Sequence, residues 1–263
     1  MSRPHTEDGI YLVDDAIFSA QEAYRMVEGE KQGEIQPSTI GEILYIASVV
    51  ARQRAFPVDV VNSVLEFAGV LLVFQADTSE NRRGRDSMNE EYLRLQLPSA
   101  EELQVPSGMN VSKCVLVVAD CTSKDQGWAT HGAEHNGTYR GSSSWCEVAV
   151  ASTNAEGENT EVGRALFCPN LRAGRHFRHH RKYFDRSTRL LSQISLGNSV
   201  ALVLRSQYPG WTNSAMYGRL AVCFAVEFEE DFSFADVSFP TAFSETTGSE
   251  GAASSSPISC TVQ

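Results

Sequence analysis

From Cys114 onward, short runs rich in β-branched and apolar residues alternate with clusters of Gly, Asn, Ser and Pro, a rhythm few folds accommodate. The runs are Cys114–Ala119, Trp145–Ala151, Ser199–Leu204 and Leu220–Phe228. Segments of this length punctuated by turn residues suit antiparallel strands, and a succession of them suits two packed sheets. The expectation is an antiparallel β-sandwich over 111–235.

The residues before the sandwich read as helical, which makes the whole chain α+β. Val13, Ile17, Ala20, Tyr24 and Val27 fall at three- and four-residue steps on one helix face. A second helix is announced by Thr39 with Glu42 three residues on, a capping-box spacing, and its apolar face is Ile40, Ile43, Leu44, Ala47 and Val50. A third starts at Pro57 and turns Val60, Val61, Val64, Leu65 and Ala68 inward. Residues 76–110 carry the polar run Asn81–Asp86 and then Pro98 and Pro106, and read as a polar linker. After Asp236 the composition shifts to Ser, Thr, Gly and Ala without Lys or Arg, as in a disordered tail over 236–263. The resulting division is a helical segment over 1–75, the linker, the sandwich and the tail.

A formal charge of −11 excludes a surface built throughout for nucleic acid, so no specific nucleic-acid partner is expected and any polyanion site must be local. The opening residues Met1–Asp8 lack the apolar core of a secretory leader, and no stretch supplies about 20 apolar residues, so a soluble cytoplasmic chain is expected. The six cysteines contain no C-x-x-C pair and read as reduced structural thiols, and no cofactor is expected.

Between the first two strands lie Asp125-Gln126-Gly127-Trp128 and Gly137-Thr138-Tyr139, followed by Trp145, and a later stretch reads Pro209-Gly210-Trp211-Thr212-Asn213. This combination resembles an uncharacterised, mostly fungal protein family whose members pair D-Q-G-W and G-T-Y…W with a later P-G-W-x-N. Family members carry a short helix upstream that is similar to the start of an F-box, matched here by Phe56-Pro57-Val58-Asp59-Val60-Val61 with Phe56 and Asp59 in place of Leu and Glu. The resemblance covers residues 56–228 and implies a galactose-binding-like sandwich, with no activity attached.

From the residues themselves, Gly127 and Gly210 let the chain turn tightly so that Trp128 and Trp211 fold back over the sandwich end, a core role. The alternative is a ligand face of Asp125, Gln126, Trp128, Asn136, Tyr139, Trp211 and Asn213, since loops at one end of a sandwich commonly carry binding. The functional expectation is a non-enzymatic binding or adaptor protein that recognises an as yet unknown protein, glycan or other ligand. The F-box-like helix over 56–74 offers a ubiquitin-ligase adaptor instead.

Three further patterns carry chemistry. His131-Gly132-Ala133-Glu134-His135 matches H-x-x-E-H, in which a helix sets two histidines one turn apart on a zinc ion beside a glutamate base. That pattern gives a zinc-hydrolase alternative with His131 and His135 as metal ligands; Cys146 with His131 or His135 and Asp125 would make a thiol nucleophile, but its alternation with Trp145 and Glu147 on a strand reads as a small apolar core residue. Arg172, Arg175, Arg178, Arg181, Lys182 and Arg186 form a basic segment suited to an acidic partner. Finally, Cys260-Thr261-Val262-Gln263 fits a prenylation signal at Cys260, which by itself supports only weak, reversible membrane association.

Overall fold

A computed structural model describes residues 10–12, 39–153, 158–235 and 237. The helix expected around Val13–Val27, the serine-rich tail and Cys260 lie outside the described residues.

Two antiparallel sheets face one another across one core. The strands in chain order are β1 (Ile10–Leu12), β2 (Leu72–Thr78), β3 (Arg82–Arg85), β4 (Asn89–Gln96), β5 (Met109–Asp125), β6 (Ser144–Thr153), β7 (Asn159–Pro169), β8 (Arg178–Phe184), β9 (Ser199–Ser206) and β10 (Thr212–Phe228). The larger sheet runs β1-β8-β5-β10-β2, with β3 also paired to β10, and the smaller runs β4-β9-β6-β7. β2 and β3 form one edge in two pieces: Gly218 faces Thr78 and Ala215 faces Arg82, so 79–81 interrupt the edge where β10 carries a bulge at Met216.

The core takes alternate residues from both sheets, as the pleat requires. Val117, Ala119 and Cys121 of β5 and Leu220, Val222 and Phe224 of β10 meet Val148 and Val150 of β6 and Leu202 and Leu204 of β9. The sheets approach closely at Gly218, where a Cβ would stand 2.9 Å from both Leu202 and Tyr92. Only a residue without a side chain fits between them there.

Helix α1 (Ile40–Arg54) has the expected capping box, Glu42 N–H donating to Thr39 Oγ1 at 3.2 Å and Thr39 N–H to the Glu42 carboxylate at 2.7 Å. It ends at Ala55 in the left-handed conformation. Helix α2 (Val58–Phe67) buries Val61 and Leu65, whereas Ala68, expected to face inward, is exposed at its end. Asn62 then acts as a strand partner, donating to Phe228 O and accepting from Phe228 N–H, each at 2.9 Å. The helices thereby close the Phe228 end of the core. No helix among the described residues is long and apolar enough to cross a membrane.

The linker expected over 76–110 is not one. β2, β3, β4 and the short helix α3 (Ala100–Leu103) fill it, and β4 supplies an edge of the smaller sheet. Its polarity is that of edge strands, whose exposed positions are charged. A bulge at Tyr92 also breaks the period-two alternation by which β4 would announce itself. Apart from β1, the strands of the two sheets therefore begin at Leu72 and not near residue 111.

Gly218→Ala should lower stability by about 1–3 kcal/mol, because the added methyl must displace two buried side chains of the opposite sheet. Chemical denaturation checks this, and a variant as stable as the parent would show that Tyr92 and Leu202 yield freely.

Candidate functional site

The signature residues gather at the end of the sandwich where β5 finishes and β10 begins. A 17-residue strand reaches roughly 50 Å, so this end lies far from the helical cap. Asp125 is 2% exposed and Asn213 fully buried, and both point between the sheets. Asp125 Oδ1 accepts from the Ser144 hydroxyl at 2.8 Å and the Trp211 indole N–H at 2.9 Å, and Oδ2 from Ala173 N–H at 2.8 Å. Asn213 on β10 donates across the gap to Trp145 O of β6 at 2.8 Å and Arg205 O of β9 at 3.0 Å.

A residue that sequence reasoning missed joins these two. The Asn170 amide donates to Asn213 Oδ1 at 2.9 Å and Ser144 Oγ at 3.0 Å, while its own oxygen accepts from Ser123 Oγ at 2.7 Å. Asp125, Ser144, Asn170, Ser123 and Asn213 thus form one buried network in which each donor meets an acceptor, the condition under which buried polarity is tolerated. Gln126 accepts from Thr212 N–H at 3.3 Å and donates to Trp128 O at 2.8 Å, which fixes the turn at Gly127 (φ 92°).

Above this network sits an aromatic group. Trp211, half-buried, lies 6.4 Å from Trp128 and 6.3 Å from Tyr208, measured between ring centroids. Trp128 is 57% exposed and Tyr208 50%. The seven candidate ligand residues therefore divide: Asp125 and Asn213 are spent on structure, Gln126 supports the turn, and Trp128 and Trp211 face the rim. Asn136 is exposed on the loop beyond, and Tyr139 leaves the group to stand 3.0 Å from His180 Nε2 through its hydroxyl.

The zinc pattern lacks the helix it requires. Ala133–His135 is a single 3-10 turn entered through Gly132 at φ 65°, so His131 and His135 do not share a helix face. No group of three metal-ligating side chains occurs among the described residues. Cys146 is buried at 3.7 Å from Cys121 Sγ and 3.7 Å from Ser123 Oγ, and Asp125 is committed elsewhere. Hydrogen bonds from Cys121 and Cys168 hold the Cys146 thiol well below its usual value while burial pushes those two neighbours up, but Cys146 is fully buried in the core, which suits a packing residue.

The basic segment is largely strand β8, whose alternation splits its charges between two faces. On one face Arg181 bonds Asp120 at 2.6 Å, alongside His179 at 3.2 Å, with Arg219 at 3.8 Å. Burial would raise the Asp120 carboxyl, but the bonds and charges of His179 and Arg181 outweigh it and hold it below the usual carboxylate range. On the other face Lys182 donates to Leu166 O. Arg172 donates to the carbonyls of Gly141 and His131, Arg175 to Gly127 O, and Arg186 pairs with Glu66. The six residues do not make one open cationic surface.

Burial, with the charges of His179 and Arg178, pushes the His180 imidazole down from 6.5 to about 3. Among the described residues, no hydrogen-bond partner reaches its Nδ1.

No family model matches the chain, and no curated protein matches it. Among solved structures, it is similar to the arabinosyltransferase EmbB of Mycobacterium smegmatis at 12% identity and a TM-score of 0.24, over 63% of this chain. The match spans only 14% of the EmbB chain. It is similar to the coat protein of Tobacco streak virus at 12% identity and a TM-score of 0.19, over 60% of this chain and 89% of that one. Likenesses this distant carry nothing about activity or partners.

Two outcomes follow from the buried groups. Asn213→Ala strips two carbonyls of their donor and Asn170 of its acceptor, so a loss of about 2–4 kcal/mol is expected in urea unfolding. A change near zero would mean that water replaces the amide. His180 is neutral when folded and takes up its proton near pH 6.5 when unfolded. Its contribution is therefore full above that pH and is lost as the pH falls toward 3. Between pH 6.5 and 5.0 stability should fall by about 2 kcal/mol on this account. His180→Gln should flatten that slope, and an unchanged slope would assign the effect elsewhere.

Proposed function

We propose that this chain is a non-enzymatic binding or adaptor protein, built on a galactose-binding-like β-sandwich, that recognises a glycan, a protein or another ligand at the aromatic end of that sandwich. One observation carries the reading. Trp128 and Tyr208 present exposed rings next to Trp211, whose indole N–H is held by buried Asp125. Exposed aromatic surface is costly to leave in water unless something covers it, and rings already fixed in place lose little entropy when a sugar ring or apolar side chain stacks on them. Placement on loops over a rigid scaffold is where binding groups are commonly found.

A second reading is recruitment of a Skp-type ubiquitin-ligase linker through residues 56–74. The observation in its favour is the end of α2, where Phe67 is 97% exposed and Phe56, ahead of the helix, is 39% exposed. Against it, β2 begins at Leu72, five residues after α2 ends, so this segment passes directly into a sheet.

Trp128→Ala separates a site from a structural support. The variant should melt within a few degrees of the parent, since its ring is more than half exposed. It should also lose retention of the parent's ligands on a panel of immobilised neutral oligosaccharides. Unfolding of the variant, or retention equal to the parent's, would remove the aromatic face from the function.

A further inference from the structure

A cavity of about 260 Å³ opens on the outward face of the larger sheet, beside the interrupted edge at 79–81, lined among others by Arg82, Arg83, Lys124, Phe177, Thr212 and Ser214. The register explains why cations meet there. Ser214 of β10 stands opposite Arg83 of β3 on one side and Lys124 of β5 on the other, so the three side chains form one row across three strands. Neighbouring strands are about 4.8 Å apart, which puts two positive side chains roughly 10 Å apart with a hydroxyl between them.

Neither Arg83 nor Lys124 has an ion-pair partner among the described residues, Lys124 lying instead over the Phe177 ring at 4.5 Å. Arg82 reaches Glu80 at 3.4 Å, an exposed pair that solvent weakens. Asp125 also borders the cavity and sets one negative charge against the three cations Arg82, Arg83 and Lys124, its oxygens accepting bonds from Ser144, Trp211 and Ala173.

The second observation is independent of charge. Thr212 is 5% exposed, lines the same cavity, and its hydroxyl has no hydrogen-bond partner among the described residues. A buried hydroxyl without a partner is destabilising, and such groups in native structures call for an explanation. An oxyanion held by the row supplies one.

We propose that this cavity binds the phosphate group of a small-molecule monoester, with the adjoining organic part against Phe177. The volume falls below the ~300 Å³ at which sites for whole drug-sized molecules begin, which suits one oxyanion and the few atoms next to it. Arginine donors match phosphate oxygens in geometry as well as charge. The cavity is distinct from the aromatic rim, and its failure leaves the reading of that rim untouched.

The test is a calorimetric titration of the full chain with phenyl phosphate and with inorganic phosphate, at an ionic strength held constant with sodium chloride. Saturable binding is expected for both, tighter for phenyl phosphate. Arg83→Gln should weaken it about tenfold, the equivalent of one charge-assisted hydrogen bond. Thr212→Val should weaken it as well, while melting at or above the parent's temperature, because a methyl replaces a hydroxyl that had no partner. Absence of saturable binding, unchanged affinity in Arg83→Gln, or a lowered melting temperature in Thr212→Val would overturn the proposal. Equal affinity for the two probes would make the ligand free phosphate, and retention of a single-stranded oligonucleotide without binding of either small probe would make it a nucleic acid. Either result refutes the monoester.

Discussion

Asn213 belongs to one sheet and donates to carbonyls of two strands in the other, and the geometry of this end of the molecule follows from that crossing. Apolar side chains hold two sheets together without fixing how they slide, because dispersion and hydrophobic contact are not directional. Hydrogen bonds to particular carbonyls are directional. Once Asn213 sits between Trp145 and Arg205, Asn170 is placed to meet it, Ser144 and Ser123 close around Asn170, and Asp125 is oriented by Ser144. The indole of Trp211 hangs from that carboxylate, so a chain of bonds starting in the core sets the position of a ring at the surface.

The same network explains where apolar patterning stops being informative. Cys114–Ala119 stands out as a strand, yet β5 continues to Asp125, and Leu220–Phe228 stands out while β10 begins at Thr212. In both, the inward residues of the hidden portion include Ser123, Asp125 and Asn213, which look like loop residues until their partners are known. The partners come from β6, β9 and the turn after β7, distant in the chain, and no local spacing reveals them. The signature glycines and tryptophans were visible as a group, but whether their polar neighbours served structure or ligand depended on Asn170, which carries no periodic signal.

β8 misleads for a related reason. Arg178-His179-His180-Arg181-Lys182 is as polar as a surface connection, and polarity normally means exposure. Here Asp120 on the neighbouring strand lies across from Arg181, and the pair is buried together with His179. Ion pairs of this kind are compensated only in their full geometry, and removing one partner leaves an uncompensated buried charge. The helices, by contrast, follow from local chemistry: the Thr39 and Glu42 cap depends on four consecutive residues and forms as their spacing dictates.

The broken edge of the larger sheet bears on how the molecule keeps apart from its own copies. A long, flat, unpaired strand edge is a template on which another chain adds itself, the first step toward aggregates. β2 and β3 deny that template in two ways: the backbone breaks register at 79–81, and β3 places Arg82, Arg83 and Arg85 along four residues. A second copy approaching edge to edge would set those guanidinium groups against their own counterparts. The residues that make the cavity basic therefore also guard solubility, and neutralising them all would expose the chain to sheet-to-sheet polymerisation.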